Sequence, residues 1–193
     1  MNIDRNIKTV LSAILAIFSV LFFPACSGDD SDSLFKTEES FIEVSFNSYF
    51  SQELLDIADF TIEKMVSDDS TYTSIKYDIS STEWSDHFTN SKYPIRVGYI
   101  VSYQLKDNAD LNSNYTFSYK FDEKLRYTIR YIYSNERPTE EYSKIIYETN
   151  SDELIIAEKG KLTAVLDEIT KSMSFCKEID AQGNYKDIPF IIE

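Results

Sequence analysis

The chain has four glycines among its 193 residues, at positions 28, 98, 160 and 183. Neither G-x-G-x-x-G nor G-x-x-x-x-G-K-[ST] can be written from them, so the folds that wrap a glycine-rich turn around a phosphate lose their sequence support. Cysteine is scarcer still, with Cys26 and Cys176 alone. Two thiols make neither a disulfide framework nor a cysteine-rich metal centre. Histidine occurs once, at His87, which leaves any Ser/His/Asp or Cys/His arrangement a single imidazole to draw on. Positive charge is short as well: 19 Lys and Arg stand against 33 Asp and Glu, giving a net charge of -14 and a pI near 4.5. A surface that acidic repels polyphosphate, so nucleic acid is excluded as an expected partner.

Only one long apolar run is present. Val10 to Phe23 (VLSAILAIFSVLFF) carries no charge and follows Arg5 and Lys8. It is well short of the ~20 residues that span a bilayer, and it reads as a secretory signal. At its end, Phe23-Pro24-Ala25-Cys26 resembles the lipobox cut by the lipoprotein signal peptidase, with Phe23 and Pro24 where Leu and Ala or Ser are commoner. The resemblance implies removal of residues 1–25, with Cys26 as the lipidated, palmitate-bearing N-terminus. The stretch that follows, Ser27-Gly28-Asp29-Asp30-Ser31-Asp32-Ser33, has nothing to bury and stays solvated. An acidic cluster placed there is similar to the export signal of small surface-exposed lipoproteins of the Bacteroidota. That resemblance implies an outer-membrane lipid anchor facing the cell surface. Asp32-Ser33-Leu34 and Asp69-Ser70-Thr71 resemble the O-glycosylation acceptor of the same group, and Ser51-Gln52-Glu53-Leu54-Leu55 ahead of a strand resembles a turn of its small sandwich lipoproteins.

Loss of residues 1–25 removes Asp4, Arg5 and Lys8, so 17 basic and 32 acidic residues remain and the charge falls to about -15. The expected organisation is a signal peptide (1–25), a lipidated acidic tether (26–37) and one domain (38–193). In that domain the dominant period is two. Ile42, Val44 and Phe46 alternate with polar neighbours, and so do Val97, Tyr99, Val101, Tyr103 and Leu105 within 95–105; this is how half-buried strands read. A short helical turn is expected over 52–57 with Ser51 as its cap, and a hairpin pairing 59–66 with 71–80. Tyr115, Phe117, Tyr119 and Phe121 form one strand face, and Tyr127, Ile129, Tyr131 and Tyr133 another. They are joined either by a tight turn at Asp122-Glu123-Lys124 or by a bend in one long strand, and the turn is favoured. A polar loop (106–114), a strand over 142–147 and closing strands at 175–179 and 185–192 complete the pattern. Leu162, Val165, Leu166 and Ile169 mark one amphipathic helix of about three turns. Together these predict a mainly β chain: a two-layer antiparallel β-sandwich of immunoglobulin-like type with one short amphipathic helix near the C-terminus.

No catalytic, metal or cofactor site is expected. His87, in Trp84-Ser85-Asp86-His87-Phe88, falls on the more polar face of a strand, and Cys176 reads as a small buried apolar residue. Asp110-Leu111-Asn112-Ser113-Asn114 spaces oxygen ligands like a calcium loop, but Tyr115 and Phe121 occupy the positions of its glycine and its bidentate Glu. A two-carboxylate glycosidase has too many candidate acids and no motif. What the sequence has in excess is 14 Tyr and 13 Phe. Most are expected in the core; any that face outward beside polar groups would form a sugar-stacking platform. The candidate ligand-binding residues are Trp84 and the pair Arg126 and Arg130, ~13 Å apart on one strand face, where bidentate guanidinium groups suit acidic sugars or pair with nearby Glu. The functional expectation is a non-enzymatic surface lipoprotein, held to the membrane by lipid on Cys26, that binds a glycan or an outer-membrane partner protein. A structural adhesin or fimbria-associated subunit is the alternative.

Overall fold

Alternating residues become strands here because each strand turns its apolar positions toward a shared interior and its polar ones toward water. A computed structural model describes residues 36–68, 71–134 and 138–189. The leader, Cys26, the acidic stretch, Asp32-Ser33-Leu34, and residues 69 and 70 of the second Asp-Ser tripeptide lie outside them. Contacts divide the chain into two units, Met1–Lys36 with Tyr133–Pro138, and Thr37–Ile132 with Thr139–Glu193. The sheets and helices lie in the second, apart from the end residues Lys36 and Tyr133.

The elements run β1 (Lys36–Phe50), α1 (Gln52–Ile57), β2 (Ala58–Asp68), β3 (Thr71–Ile79), β4 (Glu83–Asn90), β5 (Ile95–Leu105), β6 (Tyr115–Tyr133), β7 (Glu140–Ala157), α2 (Leu162–Met173), β8 (Phe175–Ile179) and β9 (Tyr185–Asp187). They form an open two-layer antiparallel sandwich, with one sheet in the order β4-β1-β6-β7 and the other β3-β2-β5-β8-β9. Between the layers Phe46 of β1 stacks on Tyr99 of β5 at 4.8 Å, and Phe50 packs on Phe60 at 4.7 Å. Leu162, Leu166, Ile169 and Met173 of α2 are buried in the same core. Each such side chain contributes ~1.5–3 kcal/mol on leaving water. Gly98 allows β5 and β8 to close: a Cβ there would stand 2.6 Å from Cys176 Sγ and 2.8 Å from the Phe175 carbonyl oxygen.

Five expectations change, one of them the closing strand read over 185–192, of which Tyr185–Asp187 is strand and 188–189 are not. Residues 115–133 form one 19-residue strand and not a hairpin. Phe117, Tyr119, Phe121, Glu123, Leu125 and Tyr127 are all buried on one face, so the alternation never breaks at the supposed turn. A bulge opposite Leu125/Arg126, where Ile146 of β7 has no partner, absorbs the bend. β7 extends ten residues past Tyr147, because the polar stretch after it is held by pairing with 115–124 and not by its own pattern. Ser51 does cap α1, but through its carbonyl, which accepts from the Leu54 and Leu55 amides; its hydroxyl instead accepts from the Ser118 amide of β6. β1 also starts at Lys36, two residues inside the stretch read as tether.

Candidate functional site

The four-stranded sheet is built on long strands, and its core-facing side continues along β6 and β7 to a surface cleft. Tyr127 pairs with Lys144 and Ile129 with Tyr142 across these strands, so all four side chains share that face. With Glu38, Ser143, Ala181 and Gln182 they line a cleft of about 500 Å³. Tyr142 is 58% exposed, against 42% for Tyr185 and 37% for Tyr49. It is held edge-on to Tyr131 at 5.8 Å and 68°, a favourable aromatic geometry that fixes the ring without covering it. The far wall is the turn after β8. Asp180 organises it by accepting from the Gln182 and Asn184 amides and the Asn184 side chain, bonds led by that of Asn184, which hold its carboxyl below the usual range. Gly183 adopts φ +74°, and a Cβ there would lie 2.6 Å from the Tyr127 ring, so this turn needs glycine on two counts. Tyr127 donates its hydroxyl to the Ala181 carbonyl at 2.9 Å, and Lys144 Nζ sits 5.3 Å over the Tyr127 ring.

The residues singled out from sequence lie elsewhere and apart from one another. Trp84 lines a second cleft, about 520 Å³, with Asn47, Tyr49, Glu83, Lys120 and Asp122. Its ring is packed against Phe46, Tyr77 and Tyr99 at 5.2–6.0 Å, so it serves the core. Arg126 and Arg130 do face the same side of β6, the outer side of the sheet, but each meets a carboxylate. Arg126 lies 3.8 Å from Glu43, and Arg130 donates twice to one oxygen of Glu141, at 3.0 and 3.2 Å. Arg130 also lies over the Phe41 ring at 5.0 Å. The cleft beside Arg130 is lined by Glu38, Glu39 and Glu43, an arrangement that repels acidic sugars. His87 is exposed on β4, its Nδ1 3.1 Å from the Val44 carbonyl oxygen. Cys176 is buried, and burial pushes its thiol up to about 11.

Sequence reasoning missed an ionic network between the layers. The four-stranded sheet contributes Asp86, Glu123 and Tyr147; the five-stranded sheet contributes Lys64, Tyr99 and Lys177. Lys64 Nζ lies 2.5 Å from Asp86 Oδ2, which also accepts from the Tyr99 hydroxyl at 2.9 Å. Lys177 bridges to Asp187 and sits 4.1 Å from the Tyr147 ring centre. Glu123 is 2% exposed; burial pushes its carboxyl up to about 8, against the opposing effects of the Tyr147 hydrogen bond and the Lys177 charge. Its Oε2 has no hydrogen-bond partner among the described residues. The available signal was parity: Glu123 is in step with the aromatics on both sides of it. Among the described residues no group of His, Cys, Asp and Glu could hold a metal ion, and no helix is long and apolar enough to cross a membrane. No protein-family model, curated protein or solved structure matches the chain.

Proposed function

We propose that this chain is a lipid-anchored, non-catalytic binding module of the outer-membrane surface, and that it holds a neutral glycan in the Tyr142 cleft. The observation that carries the reading is the exposed Tyr142 ring, buttressed by Tyr131 and ringed by Glu38, Ser143, Lys144 and Gln182. A sugar ring stacks its C–H face on such an aromatic while its hydroxyls bond to the polar rim. The volume of about 500 Å³ falls within the ~300–1,000 Å³ of small-ligand sites. Glu38 and Lys144 oppose each other in charge, so the rim favours no net charge on the ligand. The anchor rests on the sequence alone: Arg5 and Lys8, the apolar run to Phe23, and Cys26 before an acidic stretch, which resemble the surface lipoproteins of the Bacteroidota. A non-catalytic role accords with the position of Glu123, the acid with the most raised carboxyl, sealed between the sheets beyond the reach of a substrate.

The test is titration of neutral and acidic polysaccharides against the soluble mature chain. Binding of a neutral glycan should weaken at least ~10-fold in Tyr142→Ala, equivalent to about 1.4 kcal/mol, and stay unchanged in Arg126→Ala/Arg130→Ala. Equal binding by Tyr142→Ala, or a preference for acidic chains lost with the arginines, would overturn the site. The structural alternative, an adhesin or fimbria-associated subunit built by edge-to-edge pairing of copies, draws on one observation: among the described residues no strand pairs with the outer side of β7.

A further inference from the structure

β7 ends the four-stranded sheet: β6 pairs with one side of it, and among the described residues nothing pairs with the other. An edge strand exposes unpaired amides and carbonyls at every second residue, and proteins blunt such edges with proline, lysine, a bulge or short length. In β7 the bulge at Ile146 divides the strand. The part before it carries Lys144 and the Tyr142 cleft. The part after it, from Tyr147 to Ala157, has eleven residues, no proline, no lysine and no further irregularity. Its outer-face residues are Glu148, Asn150, Asp152, Leu154 and Ile156, and the last two are 73% and 65% exposed. Two neighbouring aliphatic side chains this open, on an edge without proline, lysine or a further bulge, leave apolar area in water that a partner would cover.

Charge selects the partner. β7 as a whole holds Glu140, Glu141, Glu148, Asp152 and Glu153 against Lys144, a net of -4; within 147–157 Glu148 and Asp152 are the outer-face acids, each bordered on its β6 side by a lysine, Lys124 at 2.6 Å from Glu148 and Lys120 opposite Asp152, and each open on the edge side. A second copy brings the same acidic strand and a chain whose formal charge is -14; like charges set opposite each other across a strand pair are destabilising. Opposite charges on an extended segment reverse the sign of that effect and steer the encounter.

We infer that the Tyr147–Ala157 edge receives an extended, basic segment of a different protein as an added strand, with its aliphatic side chains beside Leu154 and Ile156 and its cations beside Asp152 and Glu148. Main-chain bonds supply affinity and the alternating side chains supply register. This surface lies beyond the Ile146 bulge from the Tyr142 cleft, so the inference stands whether or not a glycan binds there.

The probe is a nonapeptide that alternates threonine with, in order, valine, valine, lysine, threonine and lysine, matched to antiparallel addition; a control carries glutamate for lysine. Hydrogen exchange of the soluble mature chain should slow at least ~10-fold at alternate amides of residues 147–157 with the lysine peptide only, and the effect should fade as salt rises. Asp152→Lys/Leu154→Lys, two exposed substitutions, should weaken binding at least ~10-fold with an unchanged circular dichroism spectrum. Equal binding of the control, protection at the β3 or β4 edge in place of β7, or no protection anywhere at millimolar peptide would overturn the inference. Protection of β7 that grows with protein concentration alone would overturn it in favour of pairing between copies.

Discussion

At the residue scale, Glu123 is the side chain whose environment departs furthest from what its type prefers. Its carboxyl is buried and half-satisfied, and its pKa rises from 4.5 to about 8. A carboxyl raised on folding binds more protons folded than unfolded between those two values, so the stability that this group contributes is full below about pH 4.5 and is lost as pH rises through 8. Urea denaturation should show the wild type losing on the order of 2–4 kcal/mol from this group between pH 5 and pH 8.5. Glu123→Gln keeps the shape and removes the titration, so it should be flatter across that range and more stable than wild type at the alkaline end. Parallel pH profiles for the two proteins would show that the carboxylate is not desolvated. Glu123 was legible in one respect: odd-numbered positions from Phe117 to Tyr127 alternate without a break. Acidic, polar Asp122-Glu123-Lys124 nonetheless has turn composition, and only pairing with β7 overrides it.

At the element scale, the two layers are joined by more than apolar packing. Lys64 on β2 and Asp86 on β4 meet across the sandwich with Tyr99 as a third partner. Losing one member of a buried ion pair strands the other charge and costs ~3–5 kcal/mol, whereas replacing both by apolar groups of similar volume costs far less. Asp86→Ala should therefore destabilise by about that amount, and Lys64→Met/Asp86→Leu by less than the sum of the two single changes, measured as a double-mutant cycle in urea. Additive costs would mean that the two side chains act independently. Asp86 drew notice from sequence only as a neighbour of His87. Its partner lies 22 positions earlier on the other sheet, a distance no local pattern spans.

At the scale of the whole molecule, the two cysteines test the anchoring and the fold in one experiment. Cys176 is buried, its thiol is pushed up to about 11, and its sulfur faces the space that Gly98 leaves, so native protein should not react at pH 8. Lipid on Cys26 would leave its sulfur as a thioether. Protein extracted from cell envelopes should thus give no reactive thiol when native and one when unfolded. Two thiols on unfolding would refute lipidation at Cys26, and one thiol in the native state with still only one on unfolding would refute the burial of Cys176. Protease treatment of intact and lysed cells then reads the leaflet: loss of the domain from intact cells is the expected outcome, and protection until lysis would move the protein to the periplasmic side.

By itself the sequence determined most of the local elements. Scarce glycine, cysteine and histidine leave glycine-loop, disulfide and histidine-based chemistry without sequence support. The spans 52–57, 95–105 and 175–179 and the helix beginning at Leu162 follow from periods of 2 and 3.6, which are properties of the backbone over a few residues. Tertiary structure decided what each strand faces and where each strand ends. It drew 148–157 into β7 by pairing, committed the Trp84 ring to the core, closed Arg126 and Arg130 with Glu43 and Glu141, and left Tyr142 open. The reason is range: alternation assigns a side chain to a face, but whether that face meets a second sheet, an opposite charge or water depends on residues tens of positions away.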